Sequence, residues 1–167
     1  MKAFISSQFG YCPLVWMFHS RKLNNRINSI HERALRIVYS DYISSFEELL
    51  ERDNSVSIHI RNIQTLAIEL YKVVNKLSPN IMNQVFPLKD TVAYPSRQVF
   101  HTSNVKTTAF GLESVRYLGP KIWELVPAEL KSIKSLKLFK TKIKEWKPLR
   151  CPCKLCKLYV CGVGYID

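Results

Sequence analysis

Over most of the first 86 residues apolar positions recur every three or four residues, the period of a helix that buries one face. Leu23, Ile27, Ile30, Ala34 and Ile37 follow steps of 4, 3, 4 and 3, with Arg21, Arg26, Arg33 and Arg36 outside that stripe. Pro13 suits the first turn of a helix, where its missing N–H would have no partner anyway, so the spacing predicts a long element from about residue 13. Upstream, Ala3 to Phe9 reads as a short helix of its own, broken at Gly10. After Asp41-Tyr42, Ser44 followed three residues later by Glu47 has the pattern of a capping box and predicts a short helix to about Arg52. Ile60, Ile63, Ala67, Leu70, Val74 and Leu77 then give the strongest periodic signal in the chain. That element stops at Ser78-Pro79, which caps a further short helix through Val85.

The pattern changes between Pro87 and Pro120. Pro87, Pro95, Gly111, Gly119 and Pro120 punctuate short β-leaning runs at Gln98–His101, Asn104–Thr108 and Glu113–Tyr117, which predicts loops with a small hairpin. Gly119-Pro120 opens a short helix through Ile122, Trp123, Leu125 and Val126, stopped by Pro127. A last helix starts near Ser135, with Leu136, Phe139, Ile143 and Trp146 on one stripe and Lys137, Lys140, Lys144 and Lys147 on a second, about 100° around the axis. The expected fold is mainly α: a helical, thumb-like bundle over residues 1–86, a loop-rich span with a small β-hairpin and a short helix over 87–130, and a basic helix with a Cys-rich tail over 131–167. With 167 residues, 47% of them hydrophobic, the chain can bury one sizeable core.

Charge adds a direction to this picture. The chain has 25 Lys+Arg against 13 Asp+Glu, a formal net charge of +12, and the excess is concentrated: Lys131 to Lys157 holds nine Lys and one Arg against the single acid Glu145. Lys131, Lys134, Lys137, Lys140, Lys144, Lys147, Arg150, Lys154 and Lys157 are the candidate contacts to a polyanion. Lysines one turn apart on a rod can follow phosphates and release counterions, and Trp146 or Tyr159 could stack on a base. RNA or DNA is the expected partner. The plainer reading is a solvated helix whose Phe139 and Trp146 are core. Use on an acidic membrane is disfavoured, because it would take those two aromatics out of the core.

Catalytic patterns are missing. Two-metal polymerases and nucleases cluster carboxylates to hold divalent ions, whereas Asp41, Asp53, Asp90 and Asp167 are isolated from one another. There is no Gly-x-Ser-x-Gly elbow, P-loop or Gly-x-Gly-x-x-Gly turn. His19, His31, His59 and His101 are scattered, with His31 and His59 reading as helix-surface or hydrogen-bonded residues. Cys12, in the apolar run Tyr-Cys-Pro-Leu-Val-Trp, reads as a buried inert thiol rather than a nucleophile. The chain is expected not to be an enzyme.

Four of the five cysteines fall in the tail, as Cys151-Pro-Cys153-Lys-Leu-Cys156 and then Cys161. Cys153 and Cys156 have the Cys-x-x-Cys spacing of a zinc half-site, so Cys151, Cys153, Cys156 and Cys161 are candidate ligands of a compact zinc knuckle. A three-cysteine site completed by a histidine or another chain, and reduced thiols with no metal, are the alternatives. Cysteines so clustered do not resemble a secreted disulfide scaffold. The N-terminus lacks the unbroken apolar run and small-residue cleavage site of a signal peptide, and no segment has the roughly 18 apolar residues of a membrane span. An intracellular protein, in cytoplasm or nucleus, is expected.

Several runs resemble the region that follows the polymerase palm in non-LTR (LINE-type) retrotransposon reverse transcriptases of animals. They are Lys2-Ala-Phe-Ile-Ser-Ser-Gln-Phe-Gly-Tyr-Cys-Pro-Leu-Val-Trp-Met-Phe-His-Ser-Arg21, Ile30-His-Glu-Arg-Ala-Leu-Arg-Ile-Val-Tyr39 and Ser45-Phe-Glu-Glu-Leu-Leu50. Further on come Tyr117-Leu-Gly-Pro-Lys-Ile-Trp-Glu-Leu-Val-Pro127, Cys151-Pro-Cys-Lys-Leu-Cys-Lys-Leu-Tyr159 and Val163-Gly-Tyr-Ile166. The resemblance spans nearly the whole chain in the family's order. It implies a thumb-like helical region that grips template and primer, then an extension that binds nucleic acid. It also implies that the endonuclease and the palm aspartates lie upstream, with Met1 internal to a longer reading frame and the palm as a partner of this region. Cys161 matches no fixed cysteine of the resemblance, which favours the three-cysteine run.

Overall fold

The computed structural model describes residues 6–89, 99–102, 104–107, 111–148 and 152–153. Among these the architecture is mainly α. The helices are α1 (Ser6–Phe9), α2 (Pro13–Trp16), α3 (Arg21–Tyr39), α4 (Phe46–Arg52), α5 (Ile58–Val74), α6 (Asn80–Val85), α7 (Val115–Leu125), α8 (Ala128–Lys131) and α9 (Leu136–Lys142). The centre is α5, packed against α2, α3, α7 and α9. It buries Ile58, Ile63, Leu66, Ala67, Leu70, Tyr71 and Val73, positions distributed around more than one face.

The expected first long helix is two elements. α2 ends after one turn, and Ser20 starts α3 afresh by accepting a hydrogen bond from the Leu23 amide (3.5 Å). Met17, in the break, is buried in the core. The capping box before α4 lies one residue later than expected. Ser45 Oγ accepts from the Glu48 amide (3.3 Å) while a Glu48 carboxylate oxygen accepts from the Ser45 amide (2.8 Å). Ser44 is not available as the cap because Asp41 already holds it: the Asp41 carboxylate accepts from the Ser44 amide and hydroxyl (3.0 and 2.7 Å) and from the Ile43 amide. These bonds, the Ser44 amide foremost, hold the Asp41 pKa down at about 2.

In the loop-rich span the β content among the described residues is a single antiparallel bridge between Leu88 and Phe100, closed by Lys89 N–H to Val99 O (2.9 Å) and His101 N–H to Pro87 O (2.8 Å). The β-leaning run at Glu113–Tyr117 is instead the start of α7: Ser114 Oγ accepts from the Tyr117 amide (3.3 Å) and caps the helix. Gly119-Pro120 therefore lies inside α7 rather than opening it. With no Cβ on the residue before it, Pro120 is relieved of part of its usual clash in the α conformation. Gly119 also has a packing reason, since a Cβ there would come within 2.6 Å of the Phe86 ring.

Elements of all three sequence spans share one core, which includes Met17, Leu66, Phe86, Phe100, Trp123, Phe139 and Cys153. Its spine is a run of rings. Phe86 meets Phe100, Phe100 meets Trp123 edge-on, Trp123 meets Phe139, and Phe139 stacks on Tyr71 with centroids 4.1 Å apart. Aromatic pairs in such geometries add about 0.5–1.5 kcal/mol beyond their area burial. The Tyr71 hydroxyl leaves the apolar core satisfied by donating to Ile133 O (2.6 Å).

Candidate nucleic-acid interface

The lysine row sits on a segment whose inner side is fixed. Phe139 and Ile143, four residues apart, are both fully buried against the core, while Lys137, Lys140 and Lys144 on the same segment are exposed. Lys134 and Lys147, before and after α9, are exposed as well. Anchoring one side of a short helix in this way leaves its cations in water, where they can meet a polyanion at low desolvation cost.

The helix is shorter than its apolar spacing predicted. α9 ends at Lys142, and Lys144 to Pro148 continues as turn and loop. The cause lies eighty residues away in sequence: Gln64 of α5, itself buried, donates from Nε2 to Lys144 O (3.1 Å) and Trp146 O (2.8 Å). These bonds draw the chain off the helical path and onto α5. Trp146 is half-buried against the core and is less free to stack on a base than its sequence position suggested.

Lys131 differs from the others. It is half-buried, its ammonium donates to Glu124 O (3.3 Å) and lies 5.6 Å from the Trp123 ring centroid, and burial lowers its pKa. These contacts bridge α7 and α8. Lys142, which was not among the candidates, faces Glu145 at 3.5 Å in an exposed pair, an arrangement that adds little stability. Arg150, Lys154 and Lys157 lie outside the described residues, as do Tyr159, Cys151, Cys156 and Cys161.

The other candidate groups divide clearly. Asp41 and Asp53 are engaged structurally, Asp41 in its loop and Asp53 as acceptor from the Tyr39 hydroxyl (2.9 Å); Asp90 and Asp167 lie outside the described residues. Cys12 is exposed rather than buried, at a left-handed position (φ 42°) just before α2, because the turn at residues 10–12 carries its side chain away from the core. Cys153 is the buried thiol. It is 0% exposed, with Sγ 3.4 Å from Nε2 of His59 on the first turn of α5. Nothing in the sequence pairs residues 59 and 153. Among the described residues no group of three His, Cys, Asp or Glu side chains is placed to hold a metal.

The sequence marks His31 as a helix-surface or hydrogen-bonded residue, yet it is 1% exposed with no hydrogen-bond partner on either ring nitrogen among the described residues. It meets Phe46 edge-on at 5.6 Å, which joins α3 to α4. Desolvation, then the nearby Arg61 charge, lowers its pKa below the ordinary 6.5. An open depression of about 390 Å³ is lined by Thr102, Tyr117, Lys121 and Glu124 among others, and Lys121 Nζ there donates to the Tyr117 hydroxyl (2.6 Å). Among the described residues Glu124 is the one carboxylate lining it, and the paired acids of a two-metal site are not found there. No described helix is long and apolar enough to cross a membrane. Comparison with protein-family models, with curated proteins and with solved structures gave no match.

Proposed function

We propose that this chain is the nucleic-acid-binding region that follows the polymerase core of a non-LTR-type reverse transcriptase, and that its role is to grip RNA or DNA rather than to catalyse. The observation that carries the reading is the anchored cation row. Lys134, Lys137, Lys140, Lys144 and Lys147 are all exposed on a segment held from within by Phe139, Ile143 and Gln64. Such a row contacts phosphates without reading bases, so binding is tolerant of sequence and steeply dependent on salt. The parent protein would be an RNA-directed DNA polymerase, with the palm as neighbour to this region.

The test is affinity for single-stranded RNA and for duplex DNA at two salt concentrations. Each phosphate contact on duplex DNA steepens the slope of log K against log salt by about 0.9, so replacing all five lysines by Gln flattens it by up to about 4.5. Binding that is absent, or unchanged in that variant, overturns the reading.

A protein-interaction module is the second reading, and one observation favours it. Leu23, Ile30, Ile37 and Val38 of α3 are 43–63% exposed and form an apolar surface on a helix otherwise built to pack. A pull-down that survives high salt and is lost in Ile30→Ser/Ile37→Ser would support this alternative.

A further inference from the structure

We propose that the outer face of α3 docks an acidic amphipathic helix of a partner protein. This rests on the second reading above, that α3 is an interaction face, and names the chemistry of what the face takes. Leu23, Ile30 and Ile37 are all exposed and recur every seven residues. On a regular helix they share about 40° of arc and run for roughly 21 Å along the axis. Lys22, Arg26 and Arg33 are exposed as well, and helical geometry sets them on the adjoining 40° or so, along one border of the stripe. Among the described residues no carboxylate pairs with these three cations. Glu32, the one acid of α3, lies beyond them on the side away from the stripe and is taken by Arg36 (2.7 Å). Past the helix end, the Asp41 carboxylate accepts from the Ile43 and Ser44 amides and fixes a loop on which Tyr42 and Ile43 are both exposed.

An apolar ridge beside an unpaired cation ridge is complementary to a helix of the same layout and opposite charge. Such a helix carries aliphatic residues at i, i+3 or i+4 and i+7, with Asp or Glu along one border. Nucleic acid matches only half of this face. Its phosphates suit the cations, but they leave the aliphatic stripe in water, and the stripe holds no ring on which a base could stack. A membrane surface calls for a broad apolar side with aromatic residues, whereas the border of the stripe opposite the cations turns inward, where His31 and Leu35 are buried. A second copy of the chain fails on charge. Its α3 brings no unpaired carboxylate to the cation border. Antiparallel pairing about Ile30 sets Leu23 against Ile37 of the other copy, but it also sets Arg26 against the other copy's Arg33.

The experiment is fluorescence anisotropy of two synthetic helical peptides, alike in their leucine stripe and bordered by either Glu or Lys, titrated with the full 167-residue chain. The Glu peptide should bind about tenfold or more tightly than the Lys peptide, because three attractive pairs replace three repulsive ones. Arg26→Glu/Arg33→Glu should reverse the preference, a gain of binding that an unfolded variant cannot show. Ile30→Ser/Ile37→Ser should abolish binding of both peptides. Replacing Lys134, Lys137, Lys140, Lys144 and Lys147 by Gln should leave peptide binding unchanged. If that variant loses the Glu peptide while Arg26→Glu/Arg33→Glu keeps it, the peptide sits on the basic segment and the proposal is overturned. Equal binding of the two peptides also overturns it, although α3 then remains a docking face and the second reading stands. Binding of neither overturns it too, and leaves the second reading to the high-salt pull-down. A concentration-dependent dimer in sedimentation, or co-sedimentation with phosphatidylserine vesicles, either of them lost in Ile30→Ser/Ile37→Ser, assigns the face to a second copy or to a membrane instead and overturns it likewise.

Discussion

α3 and α5 carry the same alternation of three- and four-residue apolar steps, yet the fold treats them differently. In α5 the repeating positions Ile63, Ala67 and Leu70 are buried, and so are Leu66, Tyr71 and Val73 beside them. In α3 only Ala34 of the predicted stripe is buried; Leu23, Ile30 and Ile37 are exposed, and the face that packs inward contains Asn24, His31 and Leu35. Periodicity reports that a helix has an apolar side. It does not report whether a neighbour covers that side. α5 has partners around it, whereas α3 touches α4 and one edge of α5 and turns its apolar stripe outward.

The buried polar groups sharpen the contrast. Gln64 on α5 is matched to two carbonyls and so contributes specificity, because it decides where the basic segment leaves its helix. His31 on α3 is held by ring contact with Phe46 and has no hydrogen-bond partner among the described residues. A buried unsatisfied group is a cost that the surrounding packing must offset.

The largest expected effect is at α5. Leu66→Ala removes a fully buried side chain and should cost about 2–5 kcal/mol in denaturant unfolding, whereas Ile30→Ala and Ile37→Ala on α3 should each stay within about 0.5 kcal/mol. Equal losses on the two helices would mean that the α3 stripe is covered. Next comes Gln64→Ala, which strands two carbonyls and should cost about 1–3 kcal/mol. It should also speed amide exchange from residue 144 onward, while exchange within α5 stays slow.

A pH effect follows from His31. Its folded pKa lies below 6.5, so its neutral form is favoured in the fold and the associated stability is complete above 6.5. As the pH falls below that value the unfolded chain binds the proton first, and stability declines until the depressed folded pKa is passed. Arg61 on α5 deepens the effect and Asp53 after α4 opposes it. Thermal melts of wild type and His31→Gln between pH 7.5 and 5 should converge at the acid end; parallel curves would remove His31 as the cause. The smallest effect is at the end of α3, where Ser40 occupies a left-handed position (φ 51°). Ser40→Gly relieves that conformation and should raise stability by about 1 kcal/mol or less, with a decrease in melting temperature counting against the argument.

α4 to Arg52, α6 to Val85 and the stop of α7 before Pro127 were readable because caps and prolines act over a few residues. The start of α7 was misread because Val115 and Tyr117 favour strands in isolation, while Ser114 as a cap outweighs that preference. The capping box was misplaced by one residue because Asp41, three positions upstream, takes the hydroxyl of Ser44. For the candidate interface, the lysines were visible as charge, and their shared exposure rests on Phe139 and Ile143 being drawn inward.

By itself the sequence determined the mainly helical character, several helix ends and the concentration of positive charge near the C-terminus, since these depend on backbone propensity, local hydrogen bonds and composition. Only the tertiary structure decided that α5 is central and α3 peripheral, that α9 stops where Gln64 captures its continuation, and that Cys153 lies against His59. The last two depend on contacts between residues 80 and 94 positions apart. No local pattern encodes such contacts, because they form only when distant segments compete for the same buried surface.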